Sequence, residues 1–461
     1  MLCESFLKKI NHIRISSGNK GEGAGKDVFY GSRIDYTEAG KDMYRLIEEL
    51  YPICRSITGQ GVRETLRHVS RQVPIEIHEV PTGTQAFDWT VPKEWNIRDA
   101  YILNGSGERL IDFRLSNLHV LNYSRPFRGR VPLGELREHL FSLPEKPDWI
   151  PYRTSYYKEN WGFCVSQRQA DALREPEYEV CIDADLKDGN LTYGECIIQG
   201  KTDQEVLLSC HICHPSLCND NLSGIALTTW LARHMMGKKH RYTYRFLFIP
   251  GTIGAIVWLS RNENIITKVR HGLVVACVGD SGKPTYKKSR RGDAEIDRVV
   301  LHVLKARGSE FSVREFNPYG YDERQYCSPG FDLPVGSLTR SPHGAYPEYH
   351  TSGDDLNLVR PECLADSLSI YLDVIEILEA NLVYKNLCPK CEPQLGKRGL
   401  YRSLGGPADA GDRELAMLWV LNMSDEKHSL LDIGERSGLT FRRLCEAADL
   451  LMENGLLTKC L

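Results

Sequence analysis

Apolar residues recur at helical spacing early in the chain. From Ala39 to about Gln72, Met43, Leu46, Ile47 and Leu50 fall on one face, the spacing of an amphipathic helix. Thr58-Gly-Gln-Gly61 interrupts it with turn-forming residues, and a second helix follows through Val62, Leu66 and Val69. Between about 75 and 175 the texture changes to short alternating segments such as Ile75–Val80 and Arg109–Leu115, the period of half-buried strands. Prolines and aromatics crowd this stretch, Trp89, Pro92, Trp95, Pro126, Trp149 and Tyr152 among them. It reads as a β-rich subdomain, residues 76–175, inserted into the main fold.

From 178 to 385 apolar runs alternate with helical patterns. Glu205–Ser209, Tyr244–Ile249 and Leu273–Val278 are short and bounded by turn residues, with helices expected at about 222–236, 253–262 and 294–306. That alternation predicts an α/β sandwich with a largely parallel sheet. The main domain is then 36–75 together with 176–388. After Pro389 the chain restarts with three short helices, Glu414–Leu421, Ser429–Arg436 and Thr440–Glu453, then Gly455-Leu-Leu-Thr-Lys. Leu431–Arg443 has the helix, glycine turn and second helix of a helix-turn-helix, so 389–461 reads as a winged-helix-like domain. Its second helix mixes Glu446 and Asp449 with Arg442 and Arg443. Without a basic stripe, protein contact is favoured over nucleic acid. Residues 1–35, rich in Gly and Ser over 16–25, read as a flexible extension.

Composition narrows the class. The chain of 461 residues is long enough for two or three domains, and 41% hydrophobic with 26% charged residues is ordinary for a globular protein. A net charge of −3, from 58 basic and 61 acidic residues, gives no field for nucleic acid or an anionic membrane. No apolar run approaches the ~20 residues of a membrane span, and Met1–Lys9 has no signal-peptide core; a cytoplasmic protein is expected. The 15 cysteines are scattered, as free thiols are in a reducing compartment. Cys388-Pro-Lys-Cys391 stands alone, and one pair cannot complete a tetrahedral zinc site.

The densest chemistry lies in Cys210-His-Ile-Cys-His-Pro-Ser-Leu-Cys-Asn-Asp-Asn-Leu-Ser-Gly224. An apolar strand runs into His211 and His214, then Asp220, then a small-residue turn opening a helix. Imidazole nitrogen and carboxylate oxygen at a strand end are what zinc takes. His350 in Tyr349-His350-Thr351 is a second candidate far downstream. In open α/β sheets the site forms beyond the carboxyl ends of the strands, and His214, Gly251 and Asp280 all fall there.

These segments resemble the co-catalytic zinc aminopeptidase superfamily. More closely they resemble its bacterial aminopeptidase-like branch, associated with polysaccharide biosynthesis. The closer likeness covers most of 36–461 and includes Pro151-Tyr-Arg-Thr-Ser-Tyr-Tyr-Lys-Glu-Asn-Trp-Gly-Phe163, Lys287-Lys-Ser-Arg-Arg-Gly-Asp293, Asp322-Glu-Arg-Gln-Tyr-Cys-Ser-Pro-Gly-Phe331 and Cys391–Leu400. The resemblance implies a zinc-aminopeptidase-like αβα sandwich holding one or two zinc ions. Asp220 matches the Asp of the superfamily's xDNxSG turn, and His350 the His of its late YHT motif. His211 fits the superfamily's register, whereas His214 sits in the Cys-His-Pro-Ser unit of the closer branch. One binds metal and the other supports it, with His214 the favoured ligand. Asp280 is a further acidic candidate, its alternative a turn cap before Ser281-Gly282. Asp322 and Glu323 match a turn that supports the metal ligands in relatives, their alternative a surface acidic pair with Arg324.

One departure changes the expectation. The closer branch reads Pro-Glu-Thr-Ile-Gly where this chain reads Pro250-Gly251-Thr252-Ile-Gly254. That Glu is the general base, and Thr252 stands where the wider superfamily has a second metal-binding Glu. A bound metal alone brings the pKa of water near ~7, but a positioned base contributes about 10²–10⁴-fold. Glu323, Asp354 and Asp355 are the candidate substitutes. Arg153, Tyr156, Tyr157, Lys158, Glu159 and Trp161 either bind substrate or bury the insert. Lys287, Arg290 and Arg291 either bind an anionic group or form a solvated loop, and His343, in a Pro- and Gly-flanked loop, is expected as a solvent-exposed histidine in preference to a substrate contact. The function expected is a zinc-dependent aminopeptidase-like hydrolase of a small peptide or aminoacyl amide, weakened or redirected at Gly251. The alternative is an inactive descendant that binds a ligand or partner. A protein partner at 389–461 and an oligomer are both compatible with the sequence.

Overall fold

The computed structural model describes residues 34–401 and 410–460; the extension expected over 1–35 lies, up to residue 33, outside them. The chain begins with α1 (Tyr36–Leu50) and α2 (Gln60–Ser70). Asp35 starts α1 by accepting from Thr37 N and Glu38 N at 3.0 and 3.1 Å, which satisfies two otherwise orphaned amides. Met43, Leu46, Ile47 and Leu50 are buried, as their spacing predicts. Next come β1 (Glu76–Pro81), β2 (Glu94–Leu103), β3 (Arg109–Asp112), β4 (Phe127–Pro132) and β5 (Glu177–Lys187). The central run is β6 (Asn190–Ile198), β7 (Glu205–His211), α3 (Ser223–Met235), β8 (Thr243–Ile249), α4 (Ile253–Arg261) and β9 (Val269–Val275). β10 (Thr285–Lys287), α5 (Glu295–Ala306), β11 (Ser312–Arg314), β12 (Val335–Thr339) and α6 (Pro361–Ala380) complete the main domain.

Eight strands form one sheet in the order β1-β6-β8-β7-β9-β12-β10-β11. The middle four, β8-β7-β9-β12, are parallel. β1, β6 and β8 pair antiparallel, as do β10 and β12. β7 and β8 are buried at every residue, as a strand covered on both faces must be. α1, α3 and α6 pack together on one face. α4 with its buried Trp258 shares a core with the insert.

The insert overlaps the expected 76–175 but is shifted at both edges. β1 is an edge strand of the central sheet, while β5 belongs to the insert's own antiparallel sheet, β3-β2-β5-β4. Alternation reports that a strand is half-buried, not which sheet it joins. The C-terminal unit likewise begins before 389, because β13 (Val383–Asn386) pairs with β14 (Asp425–Ser429) and β15 (Leu457–Lys459). Between them lie α7 (Ala410–Met423), α8 (Leu430–Ser437) and α9 (Phe441–Glu453), the three expected helices. Ser429 and Asp432 form a capping box on α8, and Gly438 ends it at φ +71°, a conformation that favours glycine. Every cysteine among the described residues is free. No helix among them is long and apolar enough to cross a membrane.

Candidate metal centre

His211 ends β7, and its Nε2 lies 2.8 Å from Asp220 Oδ1. His350 Nε2 meets the other oxygen, Oδ2, at 3.0 Å. His214 Nε2 stands 3.9 Å from the same Oδ2. Three imidazoles therefore surround one carboxylate. Asp220 is 0% exposed, whereas the His214 and His350 side chains are 16% and 34% exposed. The cluster thus opens on the side of those two histidines.

The motif residues hold this geometry. Asn219 Oδ1 accepts from Gly279 N at 2.9 Å, and Asn221 Nδ2 donates to His211 O and Val275 O. Ser223 Oγ donates to Asn219 O and accepts from Val278 N. Gly224 has no room for a side chain: a Cβ there would lie 2.4 Å from Asn221 Oδ1 and 2.6 Å from Val275 O. Asp354 accepts from the Asn219 and Asp220 amides at 2.6 and 3.0 Å and from Tyr346 Oη at 3.2 Å. Arg55, fully buried, donates to His214 O at 2.8 Å.

Burial opposes charge on His211, but the hydrogen bond to Asp220 and the nearby carboxylates outweigh it and raise its pKa. Burial also opposes charge on Asp220, yet His214, His211 and His350 hold it well below the ordinary carboxylate value. Burial drives His214 well below the usual imidazole range, and His211, His350 and Arg55 add to that against the pull of Asp220. The shifts on His214 and Asp220 favour neutral imidazole and ionised carboxylate, the states that ligate metal, whereas the raised His211 would give up its proton on binding. His211, His214 and Asp220 offer ligand atoms all within 4.8 Å of one another. This nitrogen and oxygen set fits zinc.

The other expected residues divide. Asp280 is not brought to the cluster: it accepts from Ser341 N at 3.2 Å, Ser341 Oγ and Gly282 N at 3.1 Å. It is the turn cap, a local bonding choice typical of Asp. Glu323, expected as a substitute base, is held by Lys287 Nζ at 2.7 Å. Asp355 is occupied by Asn357 N and Nδ2. Asp354 supports the Asp220 turn, and burial lifts its pKa to about 7. Asp322 differs: it is buried, neither oxygen has a hydrogen-bond partner among the described residues, and burial raises it to about 7. A Cβ on Gly251 would lie 3.5 Å from both Asp322 oxygens.

Arg290 and Arg291 pair with Asp332 rather than reaching the cluster. Tyr156 is tied to Tyr152 Oη at 2.9 Å and Asn122 Oδ1 at 3.3 Å, while Arg153 is exposed. Trp161 stacks between Phe127 and His139 inside the insert. Sequence reasoning missed Arg55, Tyr321 stacked on His211, Cys277, whose N donates to Asn221 Oδ1 at 3.2 Å and whose Sγ meets Tyr321 Oη at 3.0 Å, and the contact of Tyr152 with His214 and His350. None carries a local signal, because each meets the cluster through tertiary packing. Among the described residues, Cys388 and Cys391 join no metal-ligating group.

Fold and comparison together define an aminopeptidase-like α/β protein with a C-terminal winged helix. The zinc aminopeptidase of Bacillus subtilis shares this fold at TM-score 0.55 and 12% identity, over 73% of this chain and 94% of that one. Residues 44–381 match the family described as Domain of unknown function (DUF4910), and 382–459 match a winged helix-turn-helix. The chain belongs to the DUF4910 family. A Clostridium acetobutylicum protein described as a polysaccharide biosynthesis protein with aminopeptidase-like domain is 55% identical over 421 residues, 91% of this chain and 97% of its own. A crystal structure from that organism, described as a peptidase, aligns at TM-score 0.88 and 53% identity over 92% of this chain and 98% of that one.

Proposed function

We propose that this protein is a zinc-dependent amide hydrolase of the aminopeptidase-like class, acting on a small peptide or aminoacyl amide, with activity weakened or redirected at position 251. The observation that supports it is the buried Asp220 carboxylate with His211 and His350 on its two oxygens. Asp220, His350 and one or both of His211 and His214 would hold the ion. When bound, zinc supplies Lewis-acid polarisation of the scissile carbonyl and lowers the pKa of water. Arg55, Asn221 and Asp354 keep the ligands in place through the bonds described above. In the reaction a water oxygen bonds the carbonyl carbon and the C–N bond breaks. Both water protons end on the departing amine, giving carboxylate and ammonium.

Among the described residues the site has no free carboxylate placed as a proton acceptor. Gly251 has no side chain, Glu323 is paired, and both Asp322 oxygens are sealed from solvent. That gap favours a second reading, an inactive descendant that binds a ligand in the same cleft.

The two readings separate on the full-length protein. Purified wild type should hold stoichiometric zinc, and His350→Ala should lose most of it; unchanged metal content in that variant would sink the site. An aminoacyl-amide screen should find low activity in wild type and a gain of about 10²-fold or more in Gly251→Glu. Activity confined to the variant would support the inactive reading.

A further inference from the structure

Every imidazole of the cluster lies against a tyrosine ring. Tyr321 is nearly parallel to His211, with centroids 5.5 Å apart and planes at 17°. Tyr349 stacks on His350 at 4.0 Å and 12°, and Tyr152 meets both His214 and His350 at 5.1 Å. From Tyr321 the ring contacts continue outward. His343 stands edge-on at 5.3 Å, and Tyr319 follows at 5.4 Å from His343. Exposure rises along this line, from 3% at His211 to 69% at Tyr319. A line of aromatic rings, edge to face in its outer half, thus runs from the buried carboxylate to solvent.

The outer half of this line is polar at its edges. Neither the Tyr319 hydroxyl nor the His343 ring nitrogens have a hydrogen-bond partner among the described residues. Arg324 sits 6.0 Å over the Tyr319 ring and makes no ion pair among them; one of its nitrogens, Nε, is buried without a partner. An apolar aminoacyl side chain is best held in an enclosed, dry pocket. The exposed Tyr319 ring at the end of this line, beside donors and acceptors without partners among the described residues, suits a different group. The axial C–H bonds of a pyranose carry partial positive charge that meets the negative face of an aromatic ring. Its hydroxyls satisfy the polar edge.

We infer that Tyr319, His343 and Tyr321 form a saccharide subsite, so that the amide brought to Asp220 is one carried on the nitrogen of an amino sugar. The inference rests on the amide-hydrolase reading for the bond that is cut, but not for the sugar contact. Tyr319 is its specificity-determining residue, since it presents the most accessible face. Arg324 supplies the charged donor at the same end.

The test uses the full chain with and without zinc, the metal removed by chelation. Binding of N-acetylglucosamine and of N-acetylphenylalanine amide is followed by saturation-transfer NMR and titration. The sugar should bind in both states. Tyr319→Ala should weaken it roughly three- to tenfold, the range for one aromatic contact, and Tyr319→Phe should retain it. No sugar binding at millimolar concentration, equal binding by Tyr319→Ala, or preference for the phenylalanine amide on the same residue would overturn the inference. Tyr319-dependent sugar binding without hydrolysis of any acylated amino sugar would sink the hydrolase reading alone. Hydrolysis of peptide amides without sugar binding would sink the saccharide subsite alone.

Discussion

At Gly251 an added Cβ would lie 3.0 Å from His211 Cβ and 3.5 Å from both oxygens of Asp322. A glutamate there needs His211 to yield by a few tenths of an ångström, which a side chain at the end of a strand can do. The carboxyl it would meet, Asp322, is buried without a hydrogen bond, a costly arrangement that native structures rarely keep without a use. Burial raises Asp322 from 3.8 to about 7. The folded protein therefore binds more protons than the unfolded chain between about pH 4 and 7, and this residue takes stability away as pH rises through that window. Asp322→Asn should stabilise the metal-free protein by about 1–3 kcal/mol at pH 8 and by little at pH 4. Urea unfolding of both forms at the two pH values measures this; a loss of stability at pH 8 would mean that Asp322 has a partner in solution.

The elements carry the site by how they are tied. Arg63 on α2 donates to Glu79 on β1 and to Glu94 on β2, with all four contacts between 2.7 and 3.0 Å. It thereby joins the leading helix, the central sheet and the insert. The Arg63 hydrogen bond lowers Glu94 to about 2, against the effect of burial. Its stabilisation is present above the unfolded carboxyl value and disappears as pH falls toward about 2. Glu94→Gln should cost about 1–2 kcal/mol at pH 7, and the difference from wild type should close on acidification. The turn into α3 is tighter still. Gly224→Ala places a methyl 2.6 Å from the Val275 carbonyl, so it should cost about 2–4 kcal/mol and lower zinc content with it. Thermal unfolding and metal analysis of the same samples test whether the two losses travel together. Helix periods and short buried strands were legible at this scale because they are written in neighbouring residues. The sheet that β1 joins, and the Ser341 contact that takes Asp280 out of the cluster, were not.

Across the whole molecule, the winged helix is docked rather than tethered. Arg298 on α5 pairs with Asp432 and Glu435 at 2.5 and 2.6 Å. His302 packs edge-on against Phe441, the first residue of α9. Asn381 bridges the junction, accepting from Leu431 N and donating to Glu295. The amino end of the second helix is the part that reads bases in a DNA-bound helix-turn-helix, and here Phe441 is buried against α5. The full-length protein should show no salt-sensitive shift of a DNA duplex. Arg298→Ala should raise amide exchange across 430–437 while costing only about 0.5–1 kcal/mol, since the pair is partly exposed. The candidate metal cluster joins β7, the α3 turn and the loop before α6, so zinc binding there should stabilise the folded state as a whole. A hundredfold excess over Kd corresponds to about 2.7 kcal/mol, and chelation should lower Tm accordingly.

Periodicity and motif spacing are local properties of the chain, and they carried the α/β class, the helix-turn-helix pattern and the ligand candidates His211, His214, Asp220, Asp280 and His350, while the family followed from resemblance in longer motifs. The sequence also exposed the missing carboxylate at Gly251, an absence visible without coordinates. Only the tertiary structure decided that Asp280 is a turn cap, that Glu323 is neutralised by Lys287, and that Asp322 faces the empty position. Only it lined Tyr319, His343 and Tyr321 up with His211. Such pairings depend on which loops converge at the carboxyl ends of the parallel strands, and no local pattern encodes that meeting.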